Sequence, residues 1–309
     1  MKVIVTGSCG YKGSVIVPTL RAAGHDVIGI DTGWFGGMPE IKADFRTLKW
    51  LPQAEAIIHL ANIANDPCGE LDAKLTWEVN GLGTDIIADL AVKAKIPQFI
   101  FASSASVYGI KDNKPVVETD DLAPVSDYNK TKRIAERVLL SYQHKMAVQI
   151  VRPATVCGYS PRMRLDVIVN MLTMQAITKG EITAHCGEHG SGLMRPHTHI
   201  KDAANLYLYM LERPHLTGIY NAGFENLSVM QLAERITAKI EADIKVTTVQ
   251  DKRSYCVDSS KLLNTGFSPR YGVDDAIDEI LQKYVSGELR EEDVCYNLKW
   301  MQMNGWVAG

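Results

Sequence analysis

The first fourteen residues limit the possible folds more than any other stretch of this chain. Lys2 to Val5 is a short apolar, β-branched run that leads into Thr6-Gly7-Ser8-Cys9-Gly10-Tyr11-Lys12-Gly13-Ser14, and a helical apolar pattern follows to about Ala23. The spacing predicts a strand, a glycine turn and a helix. Gly7 permits the tight turn, Gly10 lets a pyrophosphate approach the backbone, and Gly13 lets helix and strand pack closely. The helix N-terminus then offers free N–H groups to phosphate oxygens. A second strand, His25 to Ile30, ends in Asp31, eighteen positions after Gly13. That carboxylate suits both hydroxyls of an adenosine ribose and repels a 2′-phosphate, so the expected cofactor is NAD rather than NADP. A surface glycine turn with an incidental acid is the plain alternative.

Further along, Thr32 to Pro39 is glycine-rich, carries Trp34 and Phe35, and reads as a loop over the cofactor or substrate edge. Asp44, beside Phe45, is a candidate adenine contact or else a helix cap. Ala56 to Leu60 is another buried-strand pattern, so Leu60 and Ala61 are placed to line the cofactor with backbone atoms, and His59 reads as a structural hydrogen-bonder. A long helical pattern from about Lys74 to Ala94 contains the polar Asn80. The strand Gln98 to Ala102 ends at Ser103 and Ser104, hydroxyls placed to bind a substrate oxygen or to cap a turn. In Tyr128-Asn129-Lys130-Thr131-Lys132 a phenol and an ammonium stand one helical turn apart. A phenol titrating near ~10 is a poor base at neutral pH, and a nearby cation stabilises its phenolate. Tyr108 has Asp112 rather than Lys four residues on, which makes Tyr128 the better candidate.

Composition narrows the partners. The 309 residues are 46% hydrophobic and 22% charged with a net charge of -3, which argues against a general nucleic-acid or anionic-membrane binder. No run approaches the ~18 apolar residues of a membrane span, and Met1 to Gly7 breaks too early for a signal peptide. The six cysteines are scattered with no Cys-x-x-Cys pair, so a reducing cytoplasm is the expected location. There is no obvious repeat or low-complexity linker, and a second domain is expected to be interleaved with the first.

In order, the chain reads Thr-Gly-x-x-Gly-x-x-Gly, Asp31, His59-Leu60-Ala61, Asn80, Ser104 before Tyr108-Gly109, Tyr128 with Lys132, and Arg152-Pro153-Ala154-Thr155-Val156-Cys157-Gly158. This resembles the extended short-chain dehydrogenase/reductase family, the NAD-dependent nucleotide-sugar epimerases and dehydratases. The resemblance covers nearly the whole chain. It implies an α/β fold: a Rossmann-type doubly wound parallel sheet with a smaller, interleaved C-terminal α/β substrate-binding region. Residues 1–165, with parts of about 193–225, would form the NAD-binding domain, and 166–309 mainly the nucleotide-sugar region. It further implies that Tyr128 is the base, Ser104 hydrogen-bonds the reacting hydroxyl, and Lys132 holds the nicotinamide ribose and depresses the tyrosine pKa. Asn80 would support that network, and Pro153 would lie near the nicotinamide. The cofactor set is then Gly7, Gly10, Tyr11, Lys12, Gly13, Asp31, Asp44, Phe45, Leu60, Ala61, Asn80, Ser103, Tyr128, Lys132 and Pro153. Lys12 stands where the resembling proteins carry an apolar residue; it either reaches the phosphates or points to solvent, and solvent is the preferred expectation.

In the second half, Arg162 and Asn170 lie in a stretch similar to a subset of nucleotide-sugar enzymes. Arg195 and Arg253 fall in the family's Arg-x-x-x-His-Val-x-Asp-like and Arg-x-x-x-x-Asp-x-x-Lys arrangements, and are candidates to clamp a substrate diphosphate. His185, Cys186, His189, His197 and His199 invite a zinc reading, but the spacing is poor and no metal is expected. The Trp300, Met301, Met303 and Trp306 stripe reads as packing or interface. The family also implies a homodimer through the Tyr128 helix and the Lys74 to Ala94 helix.

The expected activity is epimerisation through C4, with a 4-keto sugar formed and reduced in place. A 4,6-dehydratase is disfavoured because Ala105-Ser106, rather than Asp-Glu, follows Ser104. A C4 oxidase or keto-reductase uses the same residues. A non-catalytic NAD-binding sensor or scaffold is the alternative of another class, and it would not need Ser104, Tyr128 and Lys132 together.

Overall fold

The apolar runs of the chain assemble into one seven-stranded sheet. In the computed structural model, which describes residues 1–111, 114–186, 193–248 and 254–305, its spatial order is Gly218–Ala222, Ala147–Pro153, Gln98–Ala102, Ala56–His59, Lys2–Thr6, Asp26–Asp31 and Ile41–Lys42. Every neighbouring pair is parallel. The chain moves outward from Lys2–Thr6 to Ile41–Lys42 and then returns to the opposite side with Ala56–His59. Such a reversal opens a crevice at the C-terminal strand ends. This is the α/β, doubly wound arrangement expected from the sequence.

Strand alternation distributes the core between two faces. Val3, Val5, Ile58 and Ile100 pack with Ile16, Leu20, Ala204 and Tyr207 on one side. Ile4, Ile57, Phe99 and Phe101 pack with Ile87, Ala91, Ala135 and Leu139 on the other. Covered on both faces, the central strands can be continuously apolar.

The second half folds around and into this sheet. Thr155–Cys157, Met194–His199 and Glu225–Ser228 form a three-stranded sheet, and Glu181–Cys186 pairs in parallel with Asp243–Thr248. The helices Ile168–Lys179, Val229–Thr237 and Val273–Val285 bury Val169, Leu172, Leu232, Ile236 and Ile277 against them. Between these pieces the chain lends Gly218–Ala222 to the main sheet.

The helix expected from about Lys74 to Ala94 departs from a regular one. It runs as Ala73–Thr76, a π-helical turn Trp77–Leu82, and Gly83–Lys93. The wider turn carries the buried Asn80, which bonds a neighbouring loop, and brings Gly83 against the Phe45 ring, where a Cβ would lie 2.8 Å from a ring carbon. At the other end of the chain, helix Asn297–Asn304 packs Met301 into the core, and the Trp300 indole donates to the Trp34 carbonyl at 2.9 Å. Trp306 lies outside the described residues. All six cysteines are free, and among the described residues no helix is long and apolar enough to cross a membrane.

Candidate active site

The crevice at the sheet's switch point is a cavity of about 850 Å³, bordered by the glycine turn, Asp31, Ser104, Tyr128 and Pro153. The turn is tightly built. Gly7 has φ +73°, and a Cβ there would sit 2.7 Å from the Ala61 nitrogen. Its N–H donates to the Ile30 carbonyl at 2.8 Å. Gly13 opens helix Gly13–Ala22, and a Cβ on it would approach the Gly7 carbonyl oxygen to 2.2 Å. Gly13→Ala therefore has to open the turn. It is expected to weaken NAD binding by more than about tenfold, a loss that calorimetric titration with NAD would read directly.

At the tip of the next strand, Asp31 accepts from the N–H groups of Cys9 at 3.0 Å and Gly33 at 2.8 Å. Burial pushes its carboxyl pKa up, and those N–H bonds oppose the shift. The turn, the helix N-terminus and a carboxylate fixed beside them fit a dinucleotide with a free ribose diol.

Asp44 does what the plain alternative expected. It caps the turn Phe45–Thr47, accepting from Arg46 N–H at 2.9 Å, and pairs with the Arg46 guanidinium at 2.6 Å. It also borders the cavity, as do Phe45, Leu60 and Ala61. His59 is fully buried, with Nδ1 2.6 Å from Thr6 Oγ1; burial, then the charge of Lys132, pulls its pKa down to about 3. Neutral and enclosed, it is a structural hydrogen-bonder.

Asn80 corrects its expected place. It does not line the cavity: its Oδ1 accepts from Ile63 N–H at 2.9 Å and its Nδ2 donates to Ile63 O at 3.0 Å. Both ends of the amide are spent on the loop after Ala56–His59, so Asn80 shapes the wall from behind.

Helix Asp127–Ser141 is capped by Ser126, whose Oγ accepts from Asn129 N–H at 3.2 Å. This cap presents Tyr128 to the cavity. One turn on, Lys132 is buried, donates Nζ to the Ala102 carbonyl at 2.6 Å, and lies 5.8 Å from the Tyr128 ring centroid. Burial pushes the Tyr128 phenol up to about 12; a hydrogen bond with Ser104 and the charge of Arg164 pull it down, while Asp66 and Tyr255 push it up. Ser104 and Arg164 are thus groups that draw the phenol towards phenolate. Lys132 is turned into a carbonyl, and burial, then Lys12, holds its own pKa well below the usual lysine range.

Behind Ser104 runs a chain of contacts absent from the sequence reading. Ser104 Oγ is 2.7 Å from Ser106 Oγ; Ser106 donates to Asn129 Oδ1; Asn129 Nδ2 donates to Asp66 Oδ1 at 2.9 Å. Asn129 adjoins Tyr128 in sequence, but nothing there marks Asp66 as its partner. Ser103 borders the cavity and donates to Glu136. Tyr108 does not face the cavity: it is fully buried, donating to Asn221 Oδ1 at 2.8 Å and accepting from Arg152 at 2.8 Å. Asp112 lies outside the described residues.

The expected substrate residues separate. Arg162 borders the cavity, stacked 3.9 Å over the Phe35 centroid and donating to Asn297 Oδ1 at 2.5 Å. Asn170 does not border the cavity. Fully buried, it donates to the Arg164 carbonyl at 2.8 Å and Tyr11 Oη at 3.1 Å, and accepts from Gly158 N–H at 3.0 Å. Its amide is consumed in tying the glycine turn to the Arg164 loop. Tyr11 completes that tie by donating to the Gly158 carbonyl at 2.7 Å. Arg195 does border the cavity, whereas Arg253 lies outside the described residues.

Lys12 lines the cavity instead of facing solvent, and burial, then Arg164, brings its pKa down to about 8. Arg164, Asp66, Asn297 and Met301 were missed as wall residues. The tail's two carry no motif and arrive only because the last helix packs back over the Trp34 loop.

The histidine cluster disperses. His197 is buried with both ring nitrogens unpartnered, and burial, then Arg195, pulls its pKa down to about 3. His199 caps helix Ile200–Leu211, and His185 Nδ1 is 2.6 Å from Thr247 Oγ1. His189 lies outside the described residues. Among the described residues no three His, Cys, Asp or Glu side chains converge as a metal-binding group.

With this geometry in place, comparison with known proteins is informative. The family model described as "NAD dependent epimerase/dehydratase family" matches residues 3–223. The "Uncharacterized UDP-glucose epimerase YtcB" of Bacillus subtilis (strain 168) is 28% identical over 263 residues, covering 76% of this chain and 81% of that protein. A UDP-glucose 4-epimerase of Lacticaseibacillus casei is 24% identical over 320 residues, covering 91% and 95%. Among solved structures, MoeE5 in complex with UDP-glucose and NAD aligns with a TM-score of 0.82 at 24% identity, over 94% of this chain and 100% of that one. Identity at that level speaks for the shared fold.

Proposed function

We infer from its place in the NAD-dependent epimerase/dehydratase family, to which this chain belongs, that the protein is a nucleotide-sugar epimerase working through a transient 4-keto sugar. The observation that carries the reading is the convergence of Ser104, Tyr128 and the glycine turn on one cavity wall, with Lys132 buried directly behind. NAD, when bound, supplies reversible acceptance of hydride. The chain's own residues do the rest. Tyr128 takes the proton of the sugar hydroxyl, and Ser104 donates a hydrogen bond to that oxygen. Lys132 and Asp31 would hold the two ribose ends of the dinucleotide, and the glycine turn its pyrophosphate. Arg195, with Arg253, is assigned the diphosphate of the sugar nucleotide. Once the keto sugar has turned, return of the hydride to the opposite face of the carbon and of the proton from Tyr128 to the oxygen completes an isomerisation without net oxidation.

Residues 1–165 with part of 193–225 are assigned to cofactor binding, and 166–309 mainly to the sugar nucleotide. The relatives named as UDP-glucose epimerases support this class of substrate. Dehydration is disfavoured because Ala105 and Ser106 follow Ser104. Leu82, Ile86 and Ile134 are exposed on the two helices expected to pair, which supports a homodimer.

The test is incubation of the NAD-loaded protein with UDP-, GDP-, CDP- and dTDP-hexoses. The expected outcome is appearance of a 4-epimer with no accumulation of NADH. Stoichiometric NADH with release of a keto sugar would replace epimerase by oxidase.

A further inference from the structure

Asp66 borders the cavity and has no role in the chemistry described above, yet it accepts hydrogen bonds from residues on both sides of Tyr128 in the chain. It opens helix Asp66–Leu71. The residue before it, Asn65, is held at φ +77° and ψ 162° while its Oδ1 accepts from Cys68 N–H at 3.0 Å. That backbone region is almost confined to glycine, so the turn that aims Asp66 is strained. The helix lies hard against the phenol: a Cβ at Gly69 would sit 3.1 Å from Tyr128 Cβ. Asp66 Oδ1 takes the hydroxyl of Ser126, which caps helix Asp127–Ser141, and Asn129 Nδ2 at 2.9 Å.

These contacts fix a direction. A carboxylate only accepts, so the buried amide of Asn129 turns Nδ2 to Asp66 and Oδ1 to Ser106. Ser106 has one hydroxyl hydrogen, and it goes to Asn129 Oδ1. Towards Ser104, 2.7 Å away, Ser106 Oγ therefore offers only lone pairs, while its backbone N–H donates to Ser104 Oγ at 3.2 Å. The Ser104 hydrogen is drawn to Ser106. Aimed at Tyr128, that hydrogen would stabilise phenolate; aimed at Ser106, it leaves a lone pair for the phenol O–H. Burial and then the charge of Asp66 act on the phenol in the same sense. The other groups facing Tyr128 are Lys132 on its own helix, Arg164 and Tyr255 from the second half, and Tyr207 from helix Ile200–Leu211.

We propose that Asp66 is a positioning residue: through Asn129 and Ser106 it turns the Ser104 hydrogen away from Tyr128, so that the phenol keeps the sugar's proton while the keto sugar turns. Charge developing on the sugar oxygen draws the Ser104 hydrogen over only as the alcohol is oxidised or re-formed. This rests on Tyr128 as the base of the nucleotide-sugar reading, and adds what holds its proton between the two hydride transfers.

The test is NMR of the NAD-loaded protein labelled at tyrosine Cζ, with the Tyr128 resonance identified by its loss in Tyr128→Phe. Its chemical shift reports the phenolate fraction with no sugar present. Ser106→Ala removes the acceptor of the Ser104 hydrogen and keeps the Asp66 charge; at about pH 10.5 it is expected to raise that fraction about threefold. Asp66→Ala removes the charge as well, and is expected to raise it about tenfold. A parental fraction in Ser106→Ala would overturn the proposal, because Asp66 would then act by its charge alone. So would a parental fraction in Asp66→Ala. Either result leaves the nucleotide-sugar reading standing, whereas absence of turnover with every sugar nucleotide would sink that reading whatever the resonance does.

Discussion

Tyr128→Phe lowers kcat by about three orders of magnitude while leaving NAD affinity and thermal stability close to those of the parent, inside the ~10²–10⁴-fold range for loss of a positioned acid–base group. Only one oxygen is removed, and the ring continues to pack beside Lys132 and Gly69. Steady-state kinetics beside a melting curve separates the two effects. A variant turning over at near-parental rate would defeat the assignment of Tyr128 as base. The pH response adds a second readout. Burial holds the phenol at about 12 in the free protein, so only a small fraction is phenolate at neutral pH, and that fraction grows about tenfold per pH unit. Turnover of the parent should therefore climb with pH through the neutral range, whereas the residual rate of the Phe variant should not follow that slope.

Arg152→Met is expected to cost about 3–5 kcal/mol of folding stability, the range for breaking one side of a buried ion pair. Both partners have side chains only 2% exposed. Nε and Nη2 of Arg152 donate to the two Glu136 oxygens at 2.9 and 2.7 Å, and Nη1 donates to Tyr108 at 2.8 Å. Removing the guanidinium strands a carboxylate in the core between strand Ala147–Pro153 and helix Asp127–Ser141. An exposed pair such as Lys93 with Asp89 would cost well under ~1 kcal/mol by comparison. Urea denaturation should show a lower midpoint with an unchanged slope. Arg152→Met combined with Glu136→Leu should recover most of the loss, because the stranded charge, rather than the missing bond, dominates it. No recovery in the double variant would show that the pair contributes more than charge compensation.

These two residues illustrate how unevenly the site was legible. Tyr128 and Lys132 could be found because a helix puts positions four apart on one face, a local rule that needs no tertiary information. Arg152, by contrast, reads as part of an Arg-Pro signature, and its buried partner is sixteen positions away on another element. Asn80 and Asn170 were expected to touch ligand, yet each spends its amide on backbone, at Ile63 and at Gly158 and Arg164. A polar residue inside an apolar helix announces a buried hydrogen bond but not its partner.

The sequence by itself determined the sheet and the dinucleotide turn. Strand alternation, the three glycines and the acid at the next strand's end are short-range patterns, and backbone sterics leave them few alternatives. What only the tertiary structure decided is which charges share the cavity. Arg162 and Arg164 are two positions apart and both border the cavity, yet one stacks on Phe35 and the other pairs with Asp166. Asn297 and Met301 join the wall from the far end of the chain. Those placements depend on how the second half closes over the sheet, through long-range packing and buried hydrogen bonds such as Asn170 to Tyr11. No local pattern encodes such contacts, because their energy is realised only once both segments have been brought together.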